Sequence, residues 1–318
     1  MRLVYYGTPA LAVPALNRLV DEGRTPLLVV TRRDRPKGRG LMVGPSPVRA
    51  AAESRGIPVA TPIKAGAPEE IERLRGLEPD LLLLAAYGQI LSPELLAVPR
   101  IGALNVHFSL LPRHRGASPI QAAILAGDAE TGVTTMWMTE RLDEGPIFAA
   151  RRTPVGEWED AGSLTARLAD LGAACLSETL ARIERGELIR DIQDSSRATY
   201  APKIAREHAR LSLRDDPVTF TRKVRAFAPK PGAYVDLEGG VSLQILAASP
   251  GERAGGAAPA GEVLALDRER GLEVALGRGS VWLHRIRPGG RKEMGGFDYA
   301  NGARLPVGSR LPVKDPER

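Results

Sequence analysis

The sequence predicts an α/β protein, a doubly wound and mostly parallel sheet followed by a small C-terminal β-barrel. Three observations predict it. Short apolar strands and amphipathic helices alternate through the first half of the chain. From about residue 211 that rhythm gives way to short strands separated by glycine-rich turns. The charge divides at the same place. Residues 1–202 carry 24 Lys+Arg and 24 Asp+Glu, while residues 203–318 carry 20 and 14, so the whole net charge of +6 sits in the last third.

The elements follow in order. Residues 3–6 (Leu-Val-Tyr-Tyr) form a strand, and 12–22 a helix with Pro14 in its first turn, where a missing N–H costs nothing. A second strand covers 27–31, and a helix over 46–55 starts at Pro47. Residues 59–61 are extended, 68–77 helical, and 80–86 a strand apolar enough to be buried on both faces. A short helix over 93–98 leads into the strand 103–107. A helix over 121–126 and a strand over 132–138 complete the alternation, and a long helix covers 162–185. Beyond a surface connector at 190–209, a helix spans 217–227. Five strands then follow at 233–237, 243–247, 261–266, 271–275 and 281–287. Residues 254–260 read as a flexible loop and 305–318 as a frayed tail. The expected domains are therefore a catalytic domain at 1–189, a linker at 190–209 and a basic barrel at 210–318.

Composition excludes several classes. With 43% apolar and 26% charged residues, the chain reads as an ordinary soluble protein. Its first residues enter a strand pattern with no long apolar leader, and the apolar run 81–86 is far too short for a bilayer. A lone cysteine, Cys175, excludes a disulfide framework and fits a reducing cytoplasm. Its setting in 171–176 is that of a buried thiol. No Gly-x-Gly-x-x-Gly follows the first strand, and Gly38-Arg39-Gly40 has no glycine at 43, which argues against a nicotinamide or flavin dehydrogenase. The basic last third suggests a polyanionic partner.

The strongest chemical signal is Asn105-Val106-His107 at the end of a predicted strand, with Asp143 in Leu142-Asp143-Glu144-Gly145. Residues two apart on a strand share a face. With three asparagines and four histidines in the chain, about 0.04 such pairs are expected by chance. An amide donor, an imidazole and a carboxylate that raises the imidazole's pKa suit transfer of a carbonyl-derived group to an amine, without a metal or a covalent intermediate. His114 reads instead as solvated or facing a phosphate.

These residues resemble the methionyl-tRNA formyltransferase family over nearly the whole chain. The resemblance rests on Gly7-Thr8-Pro9, the loop Asp34–Gly40 with Pro45-Ser46-Pro47-Val48, and the stretch 85–91 (Ala-Ala-Tyr-Gly-Gln-Ile-Leu). It continues through Asn105-Val106-His107, Ser109-Leu110-Leu111-Pro112, Arg115-Gly116, 127–134, Leu142–Gly145, and Arg225-Ala226-Phe227 ahead of Pro231-Gly232-Ala233-Tyr234. It implies a formyltransferase-type, Rossmann-like first domain and an OB-like barrel. The implied reaction moves a formyl group from 10-formyltetrahydrofolate to the α-amine of methionine on initiator tRNA. Asn105 would donate to the oxyanion, a protonated His107 would add a cationic donor, and Asp143 would hold His107 charged and help remove the amine's proton. The resemblance places the folate slot at Gln89, Ile90, Leu91, Arg141, Leu142 and Gly145, with Tyr87 beside it and Ser109, Leu110, Leu111 and Pro112 along it. Arg35, Lys37 and Arg39 would enter the acceptor end of the tRNA, with Lys203, Arg225 and Arg287 among the outer contacts. A monomer is expected, since one asymmetric tRNA crosses both domains. Phe108 and Lys230 depart from the family's small and aromatic residues. The Asn, His and Asp motif is shared with sugar-nucleotide N-formyltransferases, the alternative reading. An RNA-binding protein with a silent catalytic domain is a second.

Overall fold

Strands in the first part of the chain run over Leu3–Gly7 (β1), Leu28–Val30 (β2), Arg35–Lys37 (β3), Met42–Gly44 (β4), Val59–Ala60 (β5), Leu81–Ala85 (β6), Gly102–His107 (β7), Arg115–Gly116 (β8), Glu130–Trp137 (β9), Ile147–Pro154 (β10) and Tyr200–Ala201 (β11). The helices are Val13–Asp21 (α1), Pro47–Ser54 (α2), Pro68–Gly76 (α3), Pro93–Leu96 (α4), Pro119–Ala126 (α5) and Ala161–Glu184 (α6). This computed structural model describes residues 1–37, 42–253 and 258–314. It divides into two units, one of residues 1–119, 130–154 and 165–203, the other of 120–129, 155–164 and 204–318.

In the first unit seven strands form a sheet in the order β10-β9-β7-β6-β1-β2-β5. The five strands from β7 to β5 pair in parallel, and β9 and β10 add an antiparallel edge. β6 lies between β1 and β7 with all five residues buried, as its unbroken Leu run requires. Helices α2, α3 and α4 begin on Pro47, Pro68 and Pro93, and α2 and α4 are capped by Ser46 and Ser92, whose hydroxyls accept from Arg49 N and Leu95 N. The parallel order therefore agrees with the expected α/β class.

Several elements were not anticipated, among them β10 and the hairpin β3–β4. β10 reads as Ile-Phe-Ala-Ala-Arg-Arg-Thr-Pro, an edge strand whose paired arginines and terminal proline hide its extended character. The hairpin β3–β4 pairs Arg35 with Gly44 and Lys37 with Met42, where a bare loop was expected. The supposed surface connector is also built in. β11 pairs with β8, Asp191 bridges Ile147, and Gln193 is buried. Cys175 is buried, which raises its thiol pKa.

The second unit contains Pro217–Phe227 (α7), capped by Asp216, and an antiparallel sheet of Tyr234–Asp236 (β12), Ser242–Pro250 (β13), Val263–Asp267 (β14), Gly271–Ala275 (β15) and Ser280–Pro288 (β16). Met294–Gly295 (β17) pairs with β16, and Gly296–Gly302 (α8) follows. The strand order is β12-β13-β16-β15-β14, leaving β12 and β14 as edges. Residues 308–314, expected to be part of a frayed tail, join them. Leu311 N donates to Gly261 O and Val263 N to Ser309 O on one side, while Lys314 N donates to Asp236 O and Glu238 N to Pro312 O on the other. Leu311 is buried in the unit's core with Phe220, Val224, Leu243, Val263 and Ile286. The correction has a simple cause, because Leu311 and Val313 alternate with period two and bury apolar surface that a free tail would leave in water. The end of the tail, 315–318, lies outside the described residues, as does much of the expected loop at 254–260.

Candidate active site

β7 carries the site. Asn105 and His107 alternate with Val106, so both side chains reach the same carboxylate. Asp143 Oδ1 lies 3.5 Å from Asn105 Nδ2, and Oδ2 lies 3.6 Å from His107 Nδ1. Oδ2 also accepts from the backbone N–H of Gly116 at 2.8 Å. One carboxylate thus faces an amide, an imidazole and a backbone donor. The strand register puts Asn105 beside Leu84 of β6 and His107 beside Thr134 of β9, which fixes the backbone that carries them.

The imidazole is deeply buried, and its Nε2 donates to the carbonyl of His114 at 3.0 Å. Burial pushes the His107 pKa below its ordinary value of 6.5, and the neighbouring Asp143 charge raises it by less. The expected raising effect of the carboxylate is present but outweighed. Burial thus opposes the resting imidazolium that the carboxylate's charge alone would favour. His114 is corrected as well. It is buried, takes a left-handed conformation (φ 59°), and donates its N–H to Thr199 Oγ1 at 2.8 Å, so it is neither solvated nor presented to a phosphate.

The other expected residues fall into two groups. Ile90 is 84% exposed and Leu142 62% exposed, apolar side chains open to solvent. Arg141 is exposed and pairs with Glu144. Gly145 is required by space, since a Cβ there would lie 1.7 Å from the carbonyl oxygen of Trp137. By contrast Leu91 and Tyr87 belong to the core cluster with Val4, Tyr6 and Leu82. Tyr87 packs edge-on against Tyr6, and burial pushes its pKa up to about 12. Gln89 Oε1 accepts from Ala65 N. Ser109 donates to Arg113 O, while Leu111 N donates to Thr134 Oγ1, so both serve the local turn. Leu110 and Pro112 are half-buried in the same turn. Phe108 is buried toward Gly172 of α6, where the missing side chain makes room for its ring, which answers the departure at that position.

Among the basic candidates, Arg35 and Lys37 stand on β3, and Arg39 lies outside the described residues. Lys203 and Lys230 are exposed, and Arg287 is exposed beside Glu293. Arg225 is not available as a phosphate contact. It is half-buried, its guanidinium donates to Glu159 O, and burial lowers its pKa. Among the described residues, no group of His, Cys, Asp and Glu is placed to hold a metal ion, and no helix is long and apolar enough to cross a membrane.

Sequence reasoning missed the residues behind Asp143. Gln193 Nε2 donates to the carbonyls of Asp143 and Gly145, at 2.9 and 2.8 Å. The buried Arg115 pairs with Glu144 at 3.4 Å. An extended stretch without periodicity gives Gln193 no local signal.

Comparison with known proteins places this geometry. Residues 1–180 match the family described as formyl transferase, and residues 203–304 match the formyl transferase C-terminal domain. The fold and site define a two-part formyltransferase. The methionyl-tRNA formyltransferase of Methylococcus capsulatus is 45% identical over 315 residues, covering 98% of this chain and 99% of that protein. That of Halorhodospira halophila is also 45% identical, over 96% and 98%. The chain belongs to the methionyl-tRNA formyltransferase family. Solved structures share the fold at lower identity. HypX from Aquifex aeolicus, solved with tetrahydrofolic acid, superposes with a TM-score of 0.64 at 21% identity, over 96% of this chain and 48% of that one. The sugar 3N-formyltransferase WlaRD gives 0.65 at 15% identity, over 89% and 97%.

Proposed function

We propose that the enzyme transfers the formyl group of 10-formyltetrahydrofolate to the α-amine of methionine esterified to initiator tRNA, acting as a cytoplasmic monomer. The observation that carries this reading is the single carboxylate of Asp143 set against Asn105, His107 and Gly116 N. Near-full-length identity to methionyl-tRNA formyltransferases supports the choice of acceptor.

An α-amine titrates near pH 7.7–8.0, so a useful fraction is neutral and able to attack at physiological pH. Its nitrogen bonds to the formyl carbon, giving a tetrahedral intermediate with a negative oxygen and a positive nitrogen. Asn105 has two amide protons. One turns toward Asp143 and orients the group, and the other is free to donate to the oxyanion. The ammonium proton passes to the His107–Asp143 pair, which the neutral imidazole can accept. The carbon–N10 bond then breaks, and the same proton goes to N10 of the leaving tetrahydrofolate. One proton has moved from amine to N10, with no net change at the enzyme.

Ile90 and Leu142 cover the pterin, with the backbone of 141–145 beside it. The β3–β4 hairpin, with Arg35 and Lys37 on β3 and Arg39 between the two strands in sequence, enters the acceptor end of the tRNA, where guanidinium groups pair with phosphate or stack on unpaired bases. Lys203 and Arg287 make outer backbone contacts.

The test is a single-turnover assay with 10-formyltetrahydrofolate at fixed salt, comparing charged initiator tRNA with charged elongator methionine tRNA. Rapid formylation of the initiator alone is expected. Folate binding with formylation of an amino-sugar nucleotide and of neither tRNA would overturn the reading in favour of a sugar-nucleotide enzyme.

A further inference from the structure

The loop carrying Asp143 is held from behind by a side chain outside every motif of the site. Gln193 is 8% exposed and makes four hydrogen bonds. Nε2 spends both protons on the carbonyls of Asp143 and Gly145, and Oε1 accepts from Arg115 Nε at 3.1 Å and Nη2 at 2.8 Å. Only one orientation of the amide satisfies all four, because a carbonyl cannot donate and a guanidinium cannot accept. Arg115 is 1% exposed, and its remaining edge pairs with Glu144. Three consecutive residues, 143 to 145, are therefore tied into one ring, two through backbone carbonyls and the middle one through its carboxylate.

The loop needs those ties. Asp143 holds a left-handed backbone conformation (φ 52°), which costs a residue with a Cβ about 1 kcal/mol or more and persists only where surroundings over-determine it. The residue after Arg115 is Gly116, whose N–H grips Asp143 Oδ2. Its φ of 120° and the approach of Ala201 O, 2.6 Å from where a Cβ would lie, leave no room for another residue. The same connector thus supports both sides of the carboxylate, with Gln193 behind the loop and β11 beside Gly116.

We infer that Gln193 is a positioning residue for formyl transfer, setting the Asp143 carboxylate between Asn105 and His107 through the 143–145 backbone and Arg115. This rests on the proposed reaction. Misplacing a reacting group by about 1 Å can cost on the order of 10²-fold in rate, and the four bonds are what prevent that displacement.

Two variants of the full-length protein test it. Gln193→Met keeps the length of the side chain and removes all four bonds. Gln193→Glu keeps the acceptor for Arg115 and removes only the donors to the loop carbonyls, so it decides the matter should Gln193→Met fail to fold. In Gln193→Glu, kcat for methionyl-tRNA formylation is expected to fall about 10- to 100-fold while KM for methionyl-tRNA stays within about twofold. Hydrogen exchange at amides 141–146 should quicken about tenfold or more in the substrate-free protein, with little change elsewhere. A kcat within about threefold of native, a loss confined to KM, or unaltered exchange would each overturn the inference. If the native protein formylates no methionyl-tRNA, the reaction assignment has failed. The exchange measurement then decides the clasp by itself, with quickened exchange upholding it and unchanged exchange removing it.

Discussion

His107 Nε2 donates to the carbonyl of His114, and this bond decides which face of the imidazole works. A carbonyl only accepts, so Nε2 keeps its proton and Nδ1 is left for chemistry beside Asp143. The candidate catalytic histidine is thus oriented by the backbone of a second histidine, itself in a left-handed turn beside Thr199.

The first prediction concerns pH. The folded-state pKa of His107 lies below 6.5, chiefly through burial. Above the unfolded value the ring is neutral in both states and folding pays nothing for it. As pH falls below about 6.5, the unfolded chain binds a proton that the native state refuses. Stability is therefore lost between the unfolded pKa and the lower folded one. Urea midpoints at pH 7.5 and 5.5 should show this loss, and His107→Asn should lose less over the same interval.

Asn105→Ala removes the proposed oxyanion donor. Turnover is expected to drop about 10²–10³-fold, with KM for both substrates little changed, because the interaction strengthens only as the oxyanion forms. Near-normal single-turnover rates would refute the role.

Gly145→Ala places a Cβ against the Trp137 carbonyl, a backbone atom that cannot rotate away. The loop must shift, at a cost of about 1–3 kcal/mol. Thermal melts should show the protein still folded but less stable, with formylation largely abolished.

Leu311→Ala deletes a side chain buried in the core of the second unit. A loss of about 2–4 kcal/mol is expected. Limited proteolysis should cut residues 204–314 of the variant sooner, while 1–119, 130–154 and 165–203 stay resistant.

Arg287→Ala and Arg225→Ala separate an outer cation from an inner one. Arg287 is exposed. Its loss should weaken tRNA binding and reduce the salt dependence by about one counterion. Arg225 is tied to Glu159 O. Its loss should lower the melting temperature and leave the salt slope unchanged.

The sequence made the parallel sheet legible because its strands are apolar runs and its helices open on prolines, as at Pro47, Pro68 and Pro93. Asn105 and His107 were legible because a strand's period of two is enough to put them on one face. Asp143 was legible as the candidate carboxylate partner but not in its placement, since a loop carries no periodicity to set where its side chain falls. Gln193 was invisible for a different reason. Its four partners are backbone carbonyls and a guanidinium distant in sequence, and no local pattern encodes such a meeting. The burial that lowers the His107 pKa was not legible, because it depends on the tertiary neighbours of β7, which spacing along the chain does not reveal.

The closing segment 308–314 follows every strand of the sheet it joins. While the chain is being synthesised, Asp236 O at the end of β12 and the Val263 backbone at the start of β14 wait for this segment, although Tyr234 of β12 is already bridged to Arg210. A product stopped before it would leave the start of β14 and the end of β12 open, a template for pairing with another molecule. Early termination in this gene should therefore yield insoluble protein, even though Asn105, His107 and Asp143 were made long before.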